Sequence, residues 1–327
     1  MFVLPSRPVD LGAASAVERA VAVKAMGREL GFDDVGIAPP GPHPEMARFE
    51  EWLARGYHGE MKYMARHRRR RAEPERALRG IRSVIVAALD YDTRQPRSSD
   101  LPADPSLGWI SRYAWGDDYH GVMEPRLRAW EDGLRAAAPG HRFLSYVDHG
   151  PVLEKVYGRY AGLGWMGKHT NLIHPTRGSW FFLGVILATL DIAVDAPIAD
   201  HCGSCTACLD VCPTAAFPEP YVLDARRCLS YLTIELEGPI PDDLAVAPQV
   251  FGCDLCQDVC PWNRKPVPPD RPEFRPRPGA FRPELAALAQ MDGVDFSERF
   301  AGTPIERRGA DGLRRTAARV LEEGLRG

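Results

Sequence analysis

The sequence has no cysteine before residue 202 and none after residue 260, although it contains eight. It also lacks a long hydrophobic run, since its longest apolar stretch, residues 180–190, is too short to span a bilayer and is followed by Asp191. Residues 1–8 contain no apolar core of signal-peptide length. These absences argue against a membrane span and against export, and they confine thiol chemistry to one stretch. We therefore expect a cytoplasmic protein.

No sign of charge dominates the chain, because 41 Lys and Arg residues oppose 44 Asp and Glu residues and leave a net charge of −3. This balance argues against a general nucleic-acid coat protein. The basic residues of the C-terminal part include Arg264, Lys265, Arg307 and Arg308. Such residues neutralise phosphates in nucleic-acid complexes. The alternative is a solvated helix face with internal ion pairs, and the run at residues 68–71 is open to the same two interpretations.

The cysteines form two runs with one cysteine between them: Cys202, Cys205, Cys208 and Cys212, then Cys228, then Cys253, Cys256 and Cys260. The first run has the bacterial ferredoxin spacing C-x2-C-x2-C-x3-C-P, in which the fourth cysteine binds the other cluster. Two [4Fe-4S] clusters need eight thiolates, which matches the number present. We predict that one cluster is bound by Cys202, Cys205, Cys208 and Cys260, and the other by Cys212, Cys228, Cys253 and Cys256. Two four-cysteine zinc sites are the main alternative, and disulfides are a weaker one.

Hydrophobic periodicity predicts an α+β fold. The expected helices span residues 14–30, 45–55, 126–138 and 152–161, and the expected strands span residues 33–38, 83–89, 143–147, 171–173 and 180–187. We expect an N-terminal domain of α/β type at residues 1–195 and a ferredoxin-like module at residues 196–265. A proline-rich, extended connector and a short helical tail would follow at residues 266–327, with the final helix at residues 312–325.

Two segments before the cysteines place a carboxylate among aromatic residues and glycine, at residues 111–120 and 147–151. A third, at residues 162–167, has the spacing G-x-G-x-x-G, but it follows a predicted helix and precedes a strand, the reverse of a dinucleotide-binding turn. Asp118-x-His120 matches the start of a cobalamin-ligating D-x-H-x-x-G motif. Met123 replaces its glycine, so we do not expect His120 to bind cobalt.

Together these segments resemble the tRNA epoxyqueuosine reductase family of cobalamin and iron–sulfur enzymes. The resemblance rests on the eight cysteines and on residues 115–120, 147–148, 161–168, 178–183 and 227–233. It implies a cytoplasmic, monomeric enzyme that reduces epoxyqueuosine to queuosine at the wobble position of tRNA. Cobalamin would receive electrons through two [4Fe-4S] clusters from an electron-donor protein. Some members carry C-terminal helical repeats, so a short form is expected.

The resemblance also implies functions for individual residues. Asp148 would donate the proton, whereas the residues alone equally allow it to cap a helix that starts near Pro151. Cobalamin would contact the following residues: Arg71, Ser111, Asp148, Lys168 and Ser230. The protein would bind the anticodon loop by stacking against its bases and by contacting its phosphates. This favours a function in RNA binding for Arg264, Lys265, Arg307 and Arg308. Two other classes remain open, a reductive dehalogenase and a ferredoxin-like protein without its own substrate.

Overall fold

The computed structural model describes residues 10–324. Its centre is a four-stranded sheet in the order β1-β2-β7-β4, and every neighbouring pair is antiparallel. These strands are β1 (Asp34–Ala38), β2 (Ser83–Asp90), β4 (Phe143–Val147) and β7 (Phe181–Ala188). An antiparallel sheet with separate helices fits the predicted α+β class. It corrects the α/β-type description of the N-terminal domain, because that type is built on parallel strands.

Helices cover both faces of this sheet. Helices α1 (Ala16–Glu29) and α5 (Tyr119–Ala137) pack on one face, and α6 (Glu154–Tyr160) packs on the other. The helices α2 (Glu45–Ala54), α3 (Lys62–Arg66) and α4 (Arg68–Ala72) lie between β1 and β2 in the chain. Alternate residues of β2 face opposite sides: Ile85, Ala87 and Leu89 pack with α1 and α5, whereas Val84, Val86 and Ala88 pack with α6. The apolar run of β2 therefore fills two cores, which explains why it contains no polar alternation.

Helix α5 begins earlier than the predicted residue 126, because Asp118 caps it by accepting a hydrogen bond from the His120 N–H at 3.0 Å. Pro125 lies inside the helix and removes one backbone donor. The buried side chains of Tyr119 and Met123 nevertheless fix the first turns against the sheet. Tertiary packing here outweighs the local cost of proline.

A second core joins parts of the chain that the sequence assigns to different domains. Trp109 and Ile110 of β3 (Trp109–Ile110) pack with residues of the cysteine region and of the C-terminal helices. The remaining elements are β5 (Trp165–Met166), β6 (Leu172–Ile173), α7 (Ala207–Asp210), α8 (Leu229–Ile234), β8 (Gln249–Phe251), α9 (Leu255–Asp258), α10 (Leu285–Gln290), α11 (Gly293–Phe300) and α12 (Gly309–Gly324). Strand β3 pairs in parallel with β8. The boundaries at residues 195 and 265 stay predictions.

The C-terminal part differs from the predicted connector and single helix. Phe274 is 2% exposed and belongs to the core of the central sheet, while Arg271 forms an ion pair with Asp33 at 2.6 Å. The segment 266–283 is thus docked on the N-terminal half. Its prolines cannot donate backbone hydrogen bonds, so one buried aromatic side chain and an ion pair hold the segment in place. Helix α12 starts three residues before the predicted 312, and residue 325 lies outside the described part. No helix within residues 10–324 is long and apolar enough to cross a membrane.

Candidate active site between the cysteine groups and Asp148

The first cysteine group consists of Cys202, Cys205, Cys208 and Cys260, and all four line one cavity of about 250 Å³. Burial, followed by the neighbouring Cys260 and Cys202, raises the pKa of the Cys208 thiol to about 11. Cys205 is exposed at the surface. The structure thus brings together the four residues that the crossed ferredoxin pattern assigns to one cluster.

The second cysteine group consists of Cys212, Cys228, Cys253 and Cys256. Burial raises the pKa of Cys256 well above its ordinary value, and the neighbouring Cys228 thiol makes the next largest contribution to this increase. Burial also raises the pKa of Cys228, although the backbone N–H groups of Tyr231 and Ser230 at the start of α8 point at its sulfur and lower it. Such amides stabilise a thiolate ligand. These four residues also match the predicted set.

Within residues 10–324, no three Cys, His, Asp or Glu side chains converge tightly enough to hold a single metal ion. A zinc ion holds its thiolates at about 2.3 Å, so its ligands must lie close to one another. A cluster of several irons holds its cysteines farther apart.

Asp148 follows β4 and is exposed, with a backbone φ of 58° in the left-handed region. That conformation is uncommon for a residue other than glycine and is often found at functional sites. Its Oδ2 accepts a hydrogen bond from the Tyr119 hydroxyl at 2.6 Å. Helix α6 begins only at Glu154, and its N-cap residue, Leu153, makes no side-chain cap. The helix-cap interpretation of Asp148 is therefore wrong.

Tyr119 holds the Asp148 carboxylate from the buried side. Its ring stacks on Phe182 with centroids 4.3 Å apart, and Arg307 lies over the ring at 5.6 Å. Burial, followed by the Asp148 carboxylate, raises the pKa of Tyr119 far above its ordinary value. The phenol therefore stays protonated and donates to Asp148 throughout the neutral range.

Glu154 and Lys155, in the first turn of α6, are functional candidates that the sequence argument missed. The Glu154 Oε1 atom is buried and has no hydrogen-bond partner in the described part of the chain. Burial, with a smaller contribution from the Asp148 carboxylate, raises the pKa of Glu154 to about 8, although its own backbone N–H opposes the increase. The only sequence signal was their position at the start of a helix next to Asp148.

Lys155 interacts electrostatically with both the second cysteine group and Asp148. Its side chain is exposed, yet desolvation by the surrounding protein lowers the pKa of Lys155, while the thiols of Cys256 and Cys228 and the Asp148 carboxylate raise it. Its Nζ donates to Asn171 Oδ1 at 2.7 Å. One cation thus interacts with both the cluster ligands and the proposed proton donor.

The same lysine lines a cavity of about 650 Å³ between α2, α6 and the loop at residues 219–223. The walls are largely apolar and aromatic, with Phe49, Trp52, Met64 and Val156 among them. A cavity of this size and lining is typical of a site for a large organic ligand.

The four other predicted cofactor residues lie at different places. Arg71 is 8% exposed, donates to the carbonyl oxygen of Met64 at 3.0 Å and lies over Phe49, so it supports the cavity wall. Ser230 follows Cys228 and is partly exposed.

Ser111 and Lys168 have partners within the chain. Ser111 donates to the buried Asp254 carboxylate at 2.5 Å. Lys168 donates to the carbonyl oxygens of Gly203 and Cys205 at 2.6 and 2.9 Å, next to the first cysteine group. Their contact with a cofactor stays a prediction, and the structure gives each another function.

The four basic residues predicted for RNA binding are also engaged within the chain. Arg307 pairs with Asp118 at 3.0 Å, and Arg308 donates to the Leu236 carbonyl oxygen at 2.9 Å. Lys265 lies over the ring of Trp262 at 5.0 Å. Arg264 is 3.7 Å from an Asp100 carboxylate oxygen. RNA contact by these residues remains a prediction.

Two family models match the chain. Residues 71–149 match the model described as "Epoxyqueuosine reductase QueG, DUF1730", and residues 201–263 match a "4Fe-4S double cluster binding domain". The second match covers all eight cysteines, so the cysteine region is an iron–sulfur module.

Curated relatives and solved structures agree with this. The chain is 44% identical over 293 residues to the epoxyqueuosine reductase of Pseudomonas aeruginosa, covering 89% of this chain and 81% of that protein. Identity to the enzyme of Leadbetterella byssophila is 40% over 306 residues, covering 92% and 97%. A crystal structure of epoxyqueuosine reductase with an epoxyqueuosine-modified tRNA stem loop matches with a TM-score of 0.86 at 28% identity, covering 95% of this chain and 82% of that one.

A structure of the Bacillus subtilis epoxyqueuosine reductase also matches, with a TM-score of 0.83 at 28% identity, covering 95% of this chain and 82% of that one. It is described as having an aspartate-bearing catalytic loop swung out of the active site. The sequence resemblance, the family models and the curated relatives all point to one assignment: the chain belongs to the epoxyqueuosine reductase family.

Proposed function

We propose that this protein reduces epoxyqueuosine to queuosine at the wobble position of tRNA, with cobalamin and two [4Fe-4S] clusters as cofactors. The observation that carries the proposal is that Lys155, which lines the large cavity, interacts electrostatically with Cys256 and Cys228 and also with Asp148. A cofactor next to this lysine would lie between the source of electrons and the source of the proton.

The chain's own residues fit cobalamin at this place. The cavity beside Lys155 offers apolar walls to a corrin, and the buried Glu154 Oε1 is a polar atom without a partner in the described residues. Arg71 and Ser230 flank the same region, from the cavity wall and from the second cysteine group. When bound, cobalamin would supply a strongly reducing cobalt centre for cleavage of a carbon–oxygen bond.

The reaction needs two electrons and two protons, because an epoxide becomes an alkene and one molecule of water. Asp148 would hold one proton at its exposed carboxyl and deliver it to the epoxide oxygen. Tyr119 fixes the orientation of that carboxyl through its hydrogen bond, and the left-handed backbone at Asp148 directs the side chain outward from the sheet edge.

The two cysteine groups divide electron transfer between them. Because Cys205 is exposed, a donor protein could approach the first cluster, whereas the second cluster would lie next to Lys155. The donor's identity, the cytoplasmic location and the monomeric state remain predictions from the sequence.

The test is anaerobic reconstitution with iron, sulfide and cobalamin, followed by dithionite-driven reaction with epoxyqueuosine-bearing tRNA and nucleoside mass spectrometry. We expect conversion to queuosine that depends on added cobalamin. Clusters without cobalamin uptake or conversion would indicate an electron-transfer protein instead. Halide release from halogenated substrates, with no epoxyqueuosine conversion, would indicate a dehalogenase.

A further inference from the structure

A strongly basic segment occupies helices α3 and α4 at residues 62–72. It contains six Lys or Arg residues and no carboxylate: Lys62, Arg66, Arg68, Arg69, Arg70 and Arg71. All of these except Arg71 are exposed. The chain as a whole is slightly acidic, with a net charge of −3, so this surface is a local exception.

Three arginines of the basic segment have no partner in the described residues. Arg66, Arg69 and Arg70 make no side-chain hydrogen bond or ion pair within residues 10–324, and Arg68 only approaches a Glu50 carboxylate oxygen at 4.0 Å. The C-terminal arginines differ, as the ion pair of Arg307 with Asp118 illustrates. An unpaired guanidinium binds an incoming anion without first breaking an existing ion pair.

The basic segment lies beside the proposed proton donor. Arg70 interacts electrostatically with Tyr146 on β4, the strand that ends just before Asp148. Tyr63, in the first turn of α3, interacts electrostatically with Asp148 and is 44% exposed. The basic segment and this exposed aromatic ring therefore flank one side of the Asp148 site.

We propose that Arg66, Arg69 and Arg70 bind backbone phosphates of the RNA stem loop that presents its modified base to Asp148. This inference rests on the proposed function, since it takes RNA as the substrate. Phosphate contacts of this kind position a nucleic acid without reading its bases, and the exposed Tyr63 ring offers a surface on which a loop base can stack. The basic segment would thus share the function that the sequence predicts for Arg264, Lys265, Arg307 and Arg308.

The test measures the salt dependence of binding for a fluorescently labelled, unmodified anticodon stem-loop RNA and the reconstituted protein. Each phosphate contact contributes about 0.7 to 0.9 to the slope of log K against log salt concentration. The triple variant Arg66→Ala, Arg69→Ala, Arg70→Ala should therefore lower the slope by about 2. Turnover at saturating tRNA should stay close to that of the unchanged protein, because these side chains do not contact the reacting atoms.

A matched control removes the same charge elsewhere. Arg82 and Arg275 are exposed, Arg314 is partly exposed, and each is paired with a carboxylate, so the triple alanine variant at these positions should leave the slope unchanged. Equal slopes for the two triple variants would overturn the proposal, and so would slower reduction by a donor protein with unchanged RNA binding. RNA binding is measured separately from epoxyqueuosine conversion. If the unchanged protein binds RNA through these arginines but does not convert epoxyqueuosine, only the proposed function is refuted.

Discussion

Each of the two cysteine groups contains four cysteines, but the two groups lie in different surroundings. In the first group Cys205 is exposed, and Lys168 and Lys265 line the same cavity. In the second group no cysteine is fully exposed, desolvation raises the pKa values of Cys253 and Cys256, and the neighbouring cation is Lys155, which also interacts with Asp148. One group thus has a thiol at the surface, and the other interacts with the lysine that lines the large cavity.

The difference in exposure between Cys205 and the second group is the basis of the order of electron transfer that we propose. A redox centre near the surface can exchange electrons with a separate protein, whereas an enclosed centre delivers them to whatever lies beside it. Burial raises the pKa of Cys208 to about 11 and raises the pKa values of Cys253 and Cys256 well above their ordinary value. The desolvated thiols of both groups therefore depend on iron to become thiolates.

Removing one ligand of the second group should have the largest effect. Cys256→Ala should abolish conversion, because the cluster beside Lys155 would be lost. Iron content should fall from about eight to about four atoms per chain, since the first cysteine group stays complete. Iron and sulfide analysis with electron paramagnetic resonance measures this. Cys228→Ala should lose iron and activity as Cys256→Ala does. Iron content near the wild-type value with full activity, in either variant, would refute the assignment.

Substitution of the proton donor should have the next largest effect. Asp148→Asn should lower turnover by roughly 10² to 10⁴, because the amide cannot supply the proton, while iron content and cobalamin uptake stay unchanged. Tyr119→Phe removes only the hydrogen bond that orients the carboxyl, so its loss should be smaller. Single-turnover conversion of modified tRNA gives both values. Equal turnover of Asp148→Asn and the unchanged protein would remove Asp148 from the reaction.

The two lysines offer a matched pair for separating the clusters. Lys155→Met should shift the potential of the second cluster to more negative values, on the order of tens of millivolts, because a nearby positive charge is lost. Lys168→Met should instead affect the first cluster, since Lys168 donates to the carbonyl oxygens of Gly203 and Cys205. Redox titration followed by electron paramagnetic resonance distinguishes the two. A shift of the same cluster in both variants would contradict the proposed arrangement.

The smallest effect concerns stability. Burial raises the pKa of Glu154 from 4.5 to about 8, so the folded state binds a proton that the unfolded state releases. The associated stability is present below pH 4.5 and is lost as the pH rises through about 8. Glu154→Gln should therefore raise the Tm by roughly 3 °C above pH 8 and have little effect near pH 5. A Tm difference that does not change with pH would show that Glu154 is not protonated in the folded protein.

Local patterns predicted the elements whose signals are local. The cysteine spacing predicted the members of both cysteine groups, and continuous apolar runs predicted β2 and β7. The start of α5 was missed because Pro125 masks a helix that packing maintains. The docking of Phe274 was missed because no local pattern shows which surface receives a single aromatic ring. Lys155 was missed for a similar reason, since its meaning depends on Cys256, which is distant in sequence.

The central claim is that the second cluster and cobalamin lie side by side next to Asp148. Electron paramagnetic resonance of the partially reduced, cobalamin-loaded protein tests this most directly. We expect the cobalt(II) signal to be broadened and to relax faster through coupling to the reduced second cluster. Cys256→Ala should abolish this perturbation. An unperturbed cobalt(II) signal in the unchanged protein would contradict the account.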